Sequence, residues 1–80
     1  MNYYIIVFKN TYDAMVAEKK LKELNLIFQV MPTPTSIAMS CGICMRIADR
    51  EDIDLITNNH ILEYKNVYLR ENGGYVLVEK

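Results

Sequence analysis

Six consecutive residues near the start, Tyr3-Tyr4-Ile5-Ile6-Val7-Phe8, include no charged side chain and no helix former of the alanine or leucine kind. β-Branched and aromatic residues in so short a run favour a strand over a helix. Apolar side chains occupy both parities of the pleat, so neither face of this strand suits water. It reads as a strand buried on both faces, or nearly so, and therefore central in its sheet.

Asn10 and Thr11 then supply helix N-cap chemistry, and Asp13 puts an anion in the first turn, where the helix dipole favours it. Ala14, Ala17, Leu21 and Leu24 recur at helical spacing; Glu18, Lys19, Lys20, Lys22 and Glu23 form the wet face, and Asn25 suits a left-handed C-cap. Residues 28–32 read as a second strand, with Phe28 and Val30 on one face and Gln29 and Met31 on the other. Pro32 and Pro34 end ladder hydrogen bonding and open a loop to about Gly42. Ile43, Met45 and Ile47 alternate with Cys44, Arg46 and Ala48 in a half-buried third strand. Asp49, followed by Arg50-Glu51-Asp52, caps a second helix whose apolar stripe is Ile53 and Ile56, flanked by Leu55, and which fades at Asn58-Asn59. Residues 64–70 read as a fourth strand, and Asn72-Gly73-Gly74 turns a hairpin into residues 75–78.

This order predicts an α+β fold: a ferredoxin-like β-α-β-β-α-β sandwich with two helices on one face of an antiparallel sheet and a C-terminal β-hairpin. Leu24-Asn25-Leu26-Ile27 beside Asn58-Asn59-His60-Ile61 suggests that the two halves repeat one plan. The third strand should lie between the first and second. Its preceding loop would then sit where strand one ends and helix one begins.

Eighty residues make a single domain, 1–80, and a hydrophobic fraction of 51% with 24% charged residues is globular rather than disordered. Nine Lys and Arg against ten Asp and Glu argue against a nucleic-acid partner, whose phosphates call for clustered cations. No apolar run approaches the roughly 20 residues of a membrane helix, so no membrane partner is expected. The Met-Asn-Tyr-Tyr start has no basic leader. With two cysteines in all, the chain reads as cytoplasmic, with reduced thiols.

The loop ends in Ser40-Cys41-Gly42 and is long for a strand-to-strand connection, where two to five residues are usual. Its position in the topology sets Cys41 near Lys9, Asn10 and Thr11, by the positive end of helix one, with Lys65 approaching the same end. A helix end stabilises an exposed anion by roughly 0.3–1 kcal/mol, and by up to about 2 in better geometries. That makes the thiolate a substantial species at neutral pH while leaving it exchangeable. Gly42 lets a partner come close to the thiol. No catalytic triad, carboxylate pair, phosphate loop or dinucleotide fingerprint is present, so an enzyme is not expected.

Tyr3 to Phe8, Thr11, Asp13-Ala14, Ala17-Glu18-Lys19, Pro32-Thr33-Pro34 and above all Ser40-Cys41-Gly42 resemble the selenium/sulfur carrier protein-like family of small bacterial domains. The resemblance implies a carrier with one reactive cysteine, here Cys41, which accepts a persulfide or selenium adduct from a cysteine-desulfurase-type donor. It then passes the adduct to an acceptor protein and needs no cofactor of its own. Ser40 and the amides of Gly42 and Ile43 would donate hydrogen bonds to the loaded atom. Two departures stand out: Cys44, where a small or aliphatic residue is expected, and Ile37-Ala38-Met39, where a more polar run is expected.

Met39-Ser40-Cys41-Gly42-Ile43-Cys44 also fits the Met-x-Cys-x-x-Cys pattern of soft-metal chaperones, which gives Cys41 and Cys44 as an alternative copper(I) or zinc pair. Those chaperones carry the motif before their first helix. In an extended segment the two side chains would also point to opposite faces, with alpha carbons roughly 10 Å apart. A third reading is a small interaction module with an inert thiol. Cys44 reads as a packed strand residue, and His60 as a surface or capping residue. Met15, Met31, Met39 and Met45 read as packing. Some of Tyr3, Tyr4, Tyr68 and Tyr75 must face away from the helices, leaving an open aromatic sheet face suited to a protein partner or a homodimer.

Overall fold

β1 (Tyr3–Val7) stands in the middle of a five-stranded sheet of order β2-β3-β1-β4-β5, in which every neighbouring pair is antiparallel. The other strands are β2 (Gln29–Pro32), β3 (Ile43–Ile47), β4 (Asn66–Glu71) and β5 (Gly74–Glu79), and the helices are α1 (Thr11–Glu23) and α2 (Arg50–Asn58). These come from a computed structural model that describes residues 2–37 and 42–79.

Alternation along β1 divides the core in two. Tyr4, Ile6 and Phe8 face the helices and pack with Ala14, Ala17 and Leu21 of α1, Ile53 and Ile56 of α2, and Met45, Ile47 and Val67 of the flanking strands. Ile5 and Val7 face the other way and pack with Cys44 and Ile37, with Tyr3, Met31, Tyr68 and Tyr75 around them. Both sets are sealed from water, as the apolar run requires. The helix-free face is not wholly open, because Ile37 of the β2–β3 loop lies over its Val7–Cys44 end. Tyr4 is not part of that face; its hydroxyl accepts a hydrogen bond from the Arg50 guanidinium on the helix side (3.2 Å).

The helix ends follow their sequence signals. Asn10 Oδ1 accepts from the Asp13 amide at 2.8 Å, and Asp49 Oδ1 from the Glu51 amide at 2.8 Å. At the end of α1 the Leu26 amide donates to Leu21 O and the Asn25 amide to Lys22 O, with Asn25 at φ 59°. This is a Schellman turn, and it rolls the chain off the core. Leu24 is therefore an exposed C-cap and not part of the apolar stripe. α2 ends in the same way, with Ile61 donating to Ile56 O and His60 at φ 51°. The two halves do repeat, but Asn25 corresponds to His60, one residue from the expected register. Met15 departs from the packing reading: it is 61% exposed on α1. Asn72 and Gly73, both at positive φ, close the two-residue β4–β5 hairpin.

Candidate functional site

Val7 is the register point for the end of the sheet that matters. It stands opposite Cys44 on β3 and Asn66 on β4, and its carbonyl accepts from the Lys65 amide at 2.7 Å. Two residues beyond it come Lys9 and the Asn10 cap, where α1 begins. On the other side of β3, Pro32 stands opposite Ile43, and the Thr33 amide donates to Gly42 O at 3.1 Å. Lys9, Asn10, Thr11, Lys65 and Gly42 thus stand at one end of the sheet. Lys9, Asn10, Thr11 and Gly42 are exposed there, and the first turn of α1 adds the positive end of its dipole. Among the described residues, no atom beyond its chain neighbours lies within 4 Å of where a Cβ would stand on Gly42.

Ser40 and Cys41 lie outside the described residues, as does Met39. The described parts of their loop have a definite construction. Thr33, 5% exposed, bonds to Gly42 and closes the neck of the loop. Residues 34–37 form a turn in which the Ile37 amide donates to Pro34 O at 3.1 Å. The Ile37 side chain, 6% exposed, then plugs the sheet over Ile5, Val7 and Cys44. Sequence reasoning missed this plug. Its signal in the sequence is the apolar Ile37 at the end of the Pro-, Thr- and Ser-rich stretch 32–36.

Cys44 is fully buried beneath that plug, its thiol 3.8 Å from Pro32 O. The position supports the packed-residue reading. With Ile37 in place, the Cys44 thiol is closed to solvent. Among the described residues no three His, Cys, Asp or Glu side chains are grouped to hold an ion. His60 is exposed and serves as the left-handed residue closing α2.

Two shallow concavities lie elsewhere. One is lined by Ile27, Phe28, Gln29, Arg46 and Ala48 at the β2–β3 edge, the other by Lys20, Glu23, Leu24, His60 and Ile61 between the helix ends. Neither includes a residue of the Lys9–Gly42 end. The helix-free face has its own electrostatics. Arg46 stacks over the Tyr3 ring at 4.0 Å and Arg70 over the Tyr75 ring at 4.7 Å. Burial, then the neighbouring Tyr3 hydroxyl, raise the Tyr75 phenol above its ordinary value, with Arg70 pulling the other way. Among the described residues no helix is long and apolar enough to cross a membrane.

Comparison with known proteins gives one family. Neither the curated proteins nor the solved structures contain a match to this chain. A family model described as "Putative Se/S carrier protein-like" matches residues 3–69, from β1 into β4 and through the whole Pro32–Gly42 loop, leaving β5 beyond the matched span. With most of its length covered, the chain belongs to the Se/S carrier protein-like family.

Proposed function

We propose that this chain is a carrier that holds sulfur or selenium as a covalent adduct on the Cys41 thiol. The observation that carries this reading is the family membership, whose span includes the Ser40-Cys41-Gly42 segment. The thiolate attacks the outer sulfur of a persulfide on a desulfurase-type donor. An S–S bond forms at Cys41 as the donor's own S–S bond breaks, and the donor cysteine leaves as a thiolate. With selenium as the outer atom the same displacement applies. No oxidant or reductant is consumed, and a second displacement by an acceptor protein's thiol unloads the carrier. The pyridoxal chemistry that generates the persulfide belongs to the donor, so no cofactor is assigned to this chain.

The surroundings of Gly42 support the reading. A helix N-terminus and the Lys9 ammonium at that end of the sheet both favour an anion. Ser40 and the Gly42 amide are the donors assigned to the terminal chalcogen. Exchange at sulfur is fastest when the attacking thiol ionises near ambient pH, so a modest dipole suits reversible loading better than a fixed charge. The setting inferred is the cytoplasm, where thiols stay reduced. The scaffold inferred is the ferredoxin-like split β-α-β with β5 added beyond β4.

Incubation with a cysteine desulfurase and cysteine tests the proposal by intact-mass spectrometry. The chain should gain one sulfur mass, as should Cys44→Ser, while Cys41→Ser gains nothing. Equal gain by Cys41→Ser and the parent chain would refute it.

A further inference from the structure

The helix-free face has two unlike halves. Ile37 covers the Val7–Cys44 end, but the other end carries Tyr3, Arg46, Tyr68, Arg70, Tyr75 and Leu77 with nothing from the described chain laid over them. Register fixes these side chains on one side: Tyr3 opposes Arg70, Ile5 opposes both Arg46 and Tyr68, Arg70 opposes Tyr75, and Tyr68 opposes Leu77. Of the described strand side chains on this side, none is acidic. The described carboxylates of the strands and helices lie instead on α1, on α2 and at Glu71, which shares the helix side with Val67 and Leu69. The two ion pairs among the described residues, Glu18–Lys22 and Asp54–Arg50, both lie on the helices. A chain of net charge −1 therefore turns a cationic, tyrosine-rich surface away from its helices.

We infer that this half-face docks an extended acidic segment of a partner protein. Tyrosine and arginine are the residues that interface cores concentrate, while lysine, aspartate and glutamate are depleted there. Each guanidinium stands over a phenol ring, and no carboxylate among the described residues pairs with it. Arg46 and Arg70 are two inter-strand steps of about 4.8 Å and two residues of about 3.3 Å apart, or about 12 Å on the diagonal. An extended chain covers about 13 Å in four residues, so carboxylates at i and i+4 reach both arginines. An apolar residue at i+2 then falls on the tyrosines between them. A second copy of this chain is a poor occupant: a two-fold contact through the face sets arginine against arginine. Single-stranded nucleic acid would need a denser cation track than two arginines provide. The inference is independent of the carrier reading, and Arg70, Tyr75 and Leu77 lie beyond the span that the family model matches.

The probe is a nine-residue peptide, Ser-Gly-Glu-Ser-Leu-Ser-Glu-Gly-Ser with blocked ends, titrated into the full chain at low salt and followed by amide chemical shifts. Saturable shifts should centre on Tyr3, Arg46, Tyr68, Arg70 and Tyr75. Affinity should fall by about fivefold or more in Arg46→Gln and in Arg70→Gln, whose otherwise unchanged spectra report intact folding, consistent with roughly 1 kcal/mol per ion pair. The peptide with glutamine in place of both glutamates should not bind. The inference is overturned if shifts are absent to millimolar peptide, centre on the helices, or persist with the glutamine peptide. It is equally overturned if only oligouridylate shifts this face, or if dilution of the chain alone moves the same resonances.

Discussion

Replacing Ile37 by alanine removes three of its side-chain carbons from a site that is 6% exposed, on a sheet surface made of Ile5, Val7 and Cys44. At about 0.8 kcal/mol per buried carbon the contact is worth about 2.4 kcal/mol. A loop can settle where a core helix cannot, so the extra cost of a residual cavity should be small. The loss falls on loop docking more than on the whole fold, since Ile37 is tied to the sheet by packing and to Pro34 only by one local hydrogen bond. The reporter is Cys44, fully buried beneath the plug. In a Cys41→Ser background it is the only thiol, and its reaction with an aromatic disulfide reads the opening of the loop. At about 1.4 kcal/mol per tenfold, Ile37→Ala should speed that reaction about fifty-fold. The Thr33 and Ile37 amides, bonded to Gly42 O and Pro34 O, should lose hydrogen-exchange protection in parallel, while Ile6 and Met45 change much less. Ile37→Val should stay within about fivefold of the parent. An unchanged Cys44 rate in Ile37→Ala would show that the plug does not guard the sheet and would refute the packing argument.

Other consequences follow from single contacts. Asn10→Ala removes the acceptor of the Asp13 amide and should cost about 1 kcal/mol, lowering Tm by about 4–8 °C in a thermal melt; an unchanged Tm would remove Asn10 from the account of α1. Gly73→Val forces a β-branched residue to φ 78° in the β4–β5 turn and should cost about 1–2 kcal/mol in urea unfolding, where Gly42→Ala, which meets no described residue beyond its chain neighbours, should cost far less. Because the Tyr75 phenol is raised in the folded chain, the native state holds its proton where the unfolded state has lost it. Stability is then fully present below the ordinary tyrosine value near 10 and declines as pH rises from there through the raised native value. Tyr75→Phe should flatten that alkaline decline in urea melts at successive pH values, and an identical slope would exclude Tyr75 as its source.

Legibility in the sequence tracked the range of the interaction. β1, the Asn10 and Asp49 caps and the Asn72-Gly73 turn depend on neighbours within a few residues, and each is where its local signal puts it. The gathering of Lys9, Asn10, Thr11, Lys65 and Gly42 followed from strand order, which the alternation of elements constrains strongly. Leu24 and Met15 fit the helical period but not the burial. Where a stripe ends depends on the Schellman turn and on how far the sheet extends beneath the helix, and periodicity encodes neither. Strand parity foretold that Cys44 faces away from the helices. It could not foretell that Ile37, seven residues earlier, would fold over it, because loop docking rests on contacts remote in sequence. At the candidate site, Lys9, Asn10, Thr11 and Gly42 stand exposed at one end of the sheet, while Ser40 and Cys41 lie outside the described residues.

The central claim concerns which atom bears the cargo. Site-resolved mass spectrometry of the chain after loading by a desulfurase answers it, with the peptides bearing Cys41 and Cys44 separated before fragmentation. The account predicts one added chalcogen on Cys41, removed by an excess of small thiol, and none on buried Cys44. An adduct confined to Cys44, or a Cys41 peptide that stays unmodified while the donor turns over, would contradict it.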